Sequence, residues 1–343
     1  MRYVELPRTA PAGAALQAPL TPALIAALCR RAFGPQADVV DVEQLHSGRF
    51  NTTYRIRLRA GYQVILRLAP PASAHLFEHE RWLLRRECAV HDSLAGAAVQ
   101  VPRLLFKDFS GDLVSRDYVF LEHCKGQLWE ELQGSFTPQE NEVLWGQLGG
   151  LVRAIHCIQG SAYGLPQPMA SVDCWSKAVL GDIDGLIGDL DRLGLELAGA
   201  RAFRALVVRN RQVLDHCGPP RLLHGDLWPK NILVDRIGGM PVITGLLDGE
   251  RARWGDPEAE WIFGFLDIPP AFWSTYGRDL SDGALGHDAQ CRRLIYNGRG
   301  ALQLTLEAWR WGLDDGFARR LLVEAMTGLE AMLSIRRQLA EAA

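Results

Sequence analysis

The sequence predicts an α+β chain of two lobes, on three observations. Strand-type alternation is concentrated in residues 39–122. Helical patterning fills most of the chain beyond residue 126. At 343 residues the chain is long enough for two cores.

Residues 1–20 read as a loose arm. Thr21-Pro22 opens a helix, with Thr21 as N-cap and Pro22 in the first turn, and Gly34 ends it. Strands are expected over 39–45, 53–59 and 62–68. Tyr54, Ile56 and Leu58 alternate with polar residues, Ala60-Gly61 turns the chain, and Pro70-Pro71 stops the third strand. A helix over 75–94 and strands over 101–107 and 118–122 complete a small sheet with one helix between its strands. Beyond Gly126 the pattern is helical at about 137–158, 173–192 and 200–217; Glu140 stands where a capping box with Thr137 needs it. Two short strands, 232–235 and 242–247, meet at the Gly238-Gly239 turn. Helices over roughly 257–266, 288–312 and 315–340 close the chain. The lobes are therefore placed at 1–122 and 127–343, with 123–126 as the hinge.

Bulk properties narrow the function. The chain is 48% hydrophobic and 22% charged, ordinary globular material. A net charge of −3 gives no reason to expect nucleic acid, and no apolar run approaches the roughly 18 residues a membrane helix needs. Residues 1–120 carry 15 basic and 11 acidic side chains, the remainder 22 and 29. A mildly positive first lobe over an acidic second suits phosphates above and a polar or cationic acceptor below, although uneven surface charge reads the same way. Seven scattered cysteines with no CxxC pair make neither a disulfide framework nor a zinc site; they point to a reduced, cytoplasmic setting.

Two strings carry the chemistry. LLHGDLWPKNILVD spans 222–235, and LLDGERARWGDPEAEW spans 246–261. Asp226, Asn231 five residues on, and Asp248 twenty-two residues beyond Asp226 form a set. One carboxylate can orient an acceptor hydroxyl and accept its proton; an amide oxygen and a second carboxylate can hold Mg²⁺ on a triphosphate. Taken singly, each is also an ordinary turn residue. His224, flanked by Leu222 and Leu223, is expected to be buried, neutral and a brace for the loop.

This set resembles the aminoglycoside phosphotransferase and choline kinase-like family of small-molecule kinases, over roughly residues 39–330. The Asp-Leu-Trp-Pro wording is also similar to fructosamine kinases, although Lys230 replaces a small residue usual there. The resemblance implies a protein-kinase-like two-lobed fold and the use of ATP or GTP with Mg²⁺. It implies Asp226 as catalytic base and Asn231 and Asp248 as metal ligands. Ser47, Gly48, Asn51 and Thr52 stand in a loop like the family's phosphate cover. The strand lysine that reaches the α/β-phosphates is absent: the position reads Val64-Ile65-Leu66-Arg67, which makes Arg67 the phosphate cation. A guanidinium grips phosphate bidentately but is bulkier than an ammonium. Glu87, with Glu80 as the alternative, takes the place of its ion-pair partner. Glu122 and Cys124 stand at the hinge, where backbone groups meet a purine. Asp256 matches a helix-capping position in the family's second signature, Glu260 an acidic one, and Gly249 stands where an aromatic is common.

The partner implied is a small molecule with a hydroxyl, either an antibiotic, in a resistance role, or a metabolite such as a sugar, amino alcohol or ketosamine. Residues 266–278, with Asp267, Trp273 and Tyr276, offer an aromatic and acidic acceptor wall. A non-catalytic nucleotide-binding protein is the rival class, supported by Arg67 alone. The sequence fits either a monomer or a homodimer.

Overall fold

The computed structural model describes residues 16–96, 99–132 and 134–341. Of the expected loose arm, residues 1–15 lie outside the described residues. Residues 16–20 are pinned: Leu16 is buried, and Gln17 Nε2 donates to the Gly48 and Asn51 carbonyls, both at 2.9 Å.

The first part of the chain is an antiparallel five-stranded sheet. Helix α1 (Pro22–Phe33) is capped by Thr21, whose side chain accepts from the Leu24 N–H. It lays Ile25, Leu28 and Cys29 on one sheet face, against Tyr54, Ile56, Leu66 and Phe120. Strands β1 (Val39–Leu45), β2 (Thr52–Leu58) and β3 (Gln63–Leu68) form a meander. Helix α2 (Leu83–Gly96) packs Leu84 and Cys88 on the other face, against Val119 and Leu121. Strands β4 (Leu104–Asp108) and β5 (Tyr118–Glu122) come next, and the sheet order is β1-β2-β3-β5-β4.

The helix expected over 75–94 is broken. A short 3₁₀ turn, Glu78–Glu80, precedes α2, and Trp82 between them has φ of 60°. The break has an electrostatic cause. The buried Glu80 carboxylate accepts from the Phe77 N–H at 2.8 Å and from Arg310 at 2.8 Å, while the Glu78 N–H donates to Asp189. These bonds tie the segment to helices from the far end of the chain and override local helix propensity.

After β6 (Gln127–Leu128) comes α3 (Pro138–Cys157), opened by a capping box between Thr137 and Glu140. Helix α4 (Trp175–Arg192) is followed by α5 (Ala200–Arg209) and α6 (Gln212–Asp215), so the helix expected over 200–217 divides at Asn210, whose amide caps the Leu206 carbonyl. Strand β7 (Arg221–Leu223) leads into the first motif string; β8 (Ile232–Ile237) and β9 (Met240–Leu246) leave it. Strand β10 (Arg253–Gly255) pairs with β7, and β6 with β8; the short strands β6, β7 and β10 carry no alternation that sequence reading could find.

The helix expected over 257–266 is a 3₁₀ turn, Pro257–Ala259, and a single turn, α7 (Ile262–Phe265). Then come α8 (Pro270–Tyr276), α9 (His287–Trp311) and α10 (Gly316–Glu341). One core joins α3 and α8 to β7, β8 and β9; a second joins α4, α5, α6, α9 and α10. Helices α3 and α8 meet very closely at Gly149, where a Cβ would lie 2.2 Å from the Phe272 carbonyl oxygen. Glycine is the residue that allows this approach.

Candidate active site

The loop after β7 is held from beneath. Gly225 has φ of 79°, and a Cβ there would stand 2.3 Å from the Arg251 carbonyl oxygen, so position 225 needs glycine twice over. The His224 and Gly225 N–H groups both donate at 2.8 Å to the Glu260 carboxylate. Burial alone would raise the Glu260 pKa; the hydrogen bond and charge of His156 and the His224 N–H hold it below the ordinary value. His224 is buried and its pKa is depressed, chiefly by desolvation, so its ring is neutral as expected. Its backbone N–H is what braces the loop.

The Asn231 amide nitrogen donates to both the carbonyl and Oδ2 of Asp226, each at 2.9 Å. The Leu247 N–H donates to the Asn231 carbonyl at 2.8 Å, and so brings Asp248 alongside. Asp248 itself is left-handed, with φ of 62°, an uncommon conformation for a non-glycine residue that recurs at functional sites. Asp226 has its pKa raised to about 7, first by desolvation, then by Asp248 and Glu307; Arg251 and the Asn231 amide oppose the shift. The three motif residues expected to act together are thus brought together.

Arg67 projects from β3 onto a carboxylate cluster. Its Nη1 donates to both Glu87 carboxylate oxygens, at 2.8 and 2.9 Å, and its Nη2 donates to Asp248 at 2.5 Å and Glu250 at 2.9 Å. Glu87, rather than Glu80, is its helix partner; Glu80 serves Arg310. Desolvation opposes the charge on Arg67, but Glu87, Asp248 and Glu250 outweigh it and raise its pKa. Glu87 is pushed up to about 7 by burial, against the pull of Arg67. Glu250, which the sequence reading passed over, also accepts from Asn51 Nδ2 at 2.6 Å and is itself raised by burial. The only signal for it was its place two residues after Asp248.

The loop expected to cover phosphate divides by burial. Ser47 and Gly48 are exposed, while Asn51 and Thr52 are buried. Thr52 Oγ1 is engaged by Arg116 at 2.7 Å and by the Ala18 N–H at 3.1 Å, so its hydroxyl anchors the loop to the chain's early segment. At the hinge, the Glu122 N–H is taken by the Arg103 carbonyl and its carboxylate by the Arg103 side chain; Cys124 is half-buried over Gly245. Asp256 caps the turn that comes after it, accepting from the Glu258 N–H, and bonds Tyr296 and Arg292. The wall expected over 266–278 divides by burial: Asp267 is exposed, Trp273 half-buried and Tyr276 buried. Tyr276 is buried with its hydroxyl on His156, and Trp273 packs on Phe263 and Phe272.

A five-stranded sheet, a hinge and a helical lobe that carries this loop pair define a protein-kinase-like fold. The family model described as the phosphotransferase enzyme family matches residues 41–294, and the chain belongs to that family. Among solved structures, the chain is similar to the gentamicin complex of APH(2")-IIa, with 14% identity and a TM-score of 0.61 over 91% of this chain and 97% of that one. It is similar to APH(4)-Ia in ternary complex with AMP-PNP and hygromycin B, with 19% identity and a TM-score of 0.59 over 90% and 98%. A candidate fructosamine-3-kinase from Thermobifida fusca YX-ER1 gives 18% identity and a TM-score of 0.59 over 90% and 98%. At these identities the likeness is one of fold. No curated protein gives a significant sequence match. Among the described residues no helix is long and apolar enough to cross a membrane.

Proposed function

We propose that this chain transfers the γ-phosphoryl group of ATP or GTP to a hydroxyl of a small molecule, with Mg²⁺ as cofactor. The observation that carries the reading is the joining of Asp226, Asn231 and Asp248 through the Asn231 amide and the Leu247–Asn231 backbone bond. Asp226 accepts the acceptor's proton as its oxygen bonds the γ-phosphorus and the bond from phosphorus to the nucleoside diphosphate breaks. A carboxyl raised to about 7 is matched to that task near neutral pH.

Asn231 and Asp248 fit Mg²⁺. Both are hard oxygen donors, the Asn231 nitrogen is already committed to Asp226, and Mg²⁺ needs only one or two protein ligands beside phosphate and water. When bound, Mg²⁺ supplies charge neutralisation for the triphosphate. Arg67 grips the phosphates, held in turn by Glu87. Ser47 and Gly48 cover them, and the backbone around Glu122 and Cys124 meets the base at a hinge placed at 123–126. The acceptor is either an antibiotic, which would make the chain a resistance enzyme, or a metabolite.

The test is nucleotide consumption with Mg²⁺ against a panel of hydroxyl compounds, read by mass spectrometry for an added phosphate of about 80 Da. A product from the protein that vanishes with Asp226→Ala supports the reading. Nucleotide binding with no product from any acceptor class turns it toward a non-catalytic nucleotide-binding protein.

A further inference from the structure

The segment before α1, expected to be loose, is fastened to the loop between β1 and β2. Gln17 is half-buried, and its side-chain nitrogen donates to two carbonyls of that loop, Gly48 and Asn51, both at 2.9 Å. A carboxamide nitrogen carries two protons, so both are spent on positions three residues apart. Arg116, itself buried, rivets the same segment to the sheet. Its guanidinium donates to the Ala18 carbonyl at 2.7 Å, to Thr52 Oγ1 at 2.7 Å and to the Ala69 carbonyl at 2.6 Å. The Leu20 N–H donates to the Tyr54 hydroxyl at 2.7 Å, and Thr21 then starts α1. Gln17 therefore reaches the loop from a fixed base.

The loop's side chains are taken by the helical lobe. Asn51 Nδ2 donates to Glu250 at 2.6 Å, and Glu250 also accepts from Arg67 at 2.9 Å. The Arg49 guanidinium lies over the ring of Trp311, the last residue of α9, 5.4 Å from its centroid. The loop is thus gripped by its carbonyls from the early segment and by its side chains from the second lobe. A trans peptide points its carbonyl and the following N–H in opposite directions. Holding the Gly48 carbonyl on Gln17 therefore turns the Arg49 N–H away from the early segment. Nothing lies within 4 Å of where a Cβ of Gly48 would stand, so the bond to Gln17, rather than packing, fixes that peptide.

Resting on the kinase reading above, in which this loop covers the nucleotide phosphates, we propose that Gln17 is a positioning residue of the nucleotide site: through the Gly48 and Asn51 carbonyls it sets the loop's backbone, and with it the N–H groups offered to phosphate. Gln17 acts through the loop and touches no nucleotide itself. Backbone N–H groups bind an anion best when they are aimed before it arrives, because a loop that must order on binding gives up affinity. The effect is confined to phosphate. In the same reading the base is met at the hinge, which follows β5, two strands away from β2 in the sheet.

Calorimetry with Mg²⁺ present tests this with two probes. One is the β,γ-imido analogue of ATP or GTP, whichever the parent binds more tightly; the other is the matching nucleoside, measured by displacement of that analogue. Gln17→Met keeps the length of the side chain and removes both donors. Gln17→Glu is isosteric and turns a carboxylate onto two carbonyl oxygens. The analogue is expected to bind at least fivefold more weakly to Gln17→Met and more weakly still to Gln17→Glu, with nucleoside affinity within twofold of the parent in both. Analogue affinity within twofold of the parent in both variants, or a nucleoside loss equal to the analogue loss, overturns the proposal. A parent that binds neither analogue defeats the kinase reading itself, and that failure shows before any variant is compared.

Discussion

Two charged clusters flank Asp226, and they are built on different plans. In one, Arg67 gathers three carboxylates, Glu87, Asp248 and Glu250, and the surplus charge is negative. In the other, Arg86, Arg251, Arg253 and Arg299 gather around Asp182 and Glu307, and Arg251 also faces Asp226, Glu80 and Glu250, so charges of both signs are shared among several partners. Asp226 sits between, raised by Asp248 and Glu307 and lowered by Arg251. A negative surplus around Arg67 suits a site completed by a cation, whereas a cluster in which each sign is shared among several partners is closed on itself.

The largest effect expected is at the junction of the two clusters. Asp226→Asn should lower turnover by about 10²–10⁴-fold by removing the proton acceptor. It should also stabilise the fold at alkaline pH. The folded pKa of about 7 lies above the ordinary value of 3.8, so the protonated form is favoured by folding. Its contribution is full below the unfolded pKa and is lost as pH rises through 7. Asparagine mimics the neutral form and can still accept from Asn231. Calorimetry at pH 5 and pH 8 should show the variant gaining melting temperature over the parent mainly at pH 8. An equal difference at both values would mean that Asp226 is not strained by its charge.

Next in size is Arg67→Ala. It leaves Glu87 and Glu250 buried without their cation, a loss of about 3–5 kcal/mol by analogy with broken buried ion pairs. Urea unfolding measures it. Arg67→Lys keeps the charge but gives up the planar fork that reaches Glu87 through one nitrogen and Asp248 and Glu250 through the other, and should recover most of the stability. If the alanine variant is as stable as the parent, the cluster is solvated more than its burial implies.

Asp226, Asn231 and Asp248 were legible because they fall within two neighbouring strings, and Arg67 and Glu87, far from them in sequence, because they stand at positions that the family pattern marks. Asp226 and Asn231 stand in one string, Asp248 in the next, and Arg67 and Glu87 on a strand and the helix after it. Glu250 was visible but unread, since nothing in a string reveals that a side chain turns back to meet Asn51, 199 residues away. The cluster around Arg299 could not be read at all. The spacing of Arg299, Gln303 and Glu307 shows a helix face, but which elements close over that face depends on how α4 and β10 dock. The same limit bears on Trp273 and Tyr276: an aromatic run reads alike as a ligand wall and as the packing between α3 and α8. The helix breaks at 81–82 and 260–261 went unread for a related reason, because Arg310 bonds Glu80 and the His224 and Gly225 amides bond Glu260 from distant parts of the chain; the break at 210–211 is local, set by the Asn210 cap on Leu206.

The ladder on α9, in which Arg299 donates to Gln303 and Gln303 to Glu307, should be softer than the Arg67 cluster. Gln303→Leu removes both of its bonds, but Arg299 and Glu307 keep some contact with water, so the expected loss is about 1–2 kcal/mol. The sharper readout is the pH profile: with Glu307 no longer bound by Gln303, its pull on Asp226 changes, so the pH dependence of turnover should shift while the nucleotide KM stays constant. An unchanged profile would show that the ladder does not act on Asp226.

The smallest effect is a control outside both clusters. Thr137 caps α3, accepting from the Glu140 N–H while its own N–H donates to the Glu140 carboxylate. Thr137→Ala loses the side-chain half of that box, worth about 1 kcal/mol. That is close to the loss expected for Gln303→Leu, yet α3 carries none of the charged groups around Asp226. Turnover, nucleotide KM and the pH profile of turnover should all match the parent at a temperature well below melting. If Thr137→Ala shifted the pH profile as Gln303→Leu does, the α9 effect would reflect general loosening of the helical lobe, and the contrast drawn between the two clusters would lose its second half.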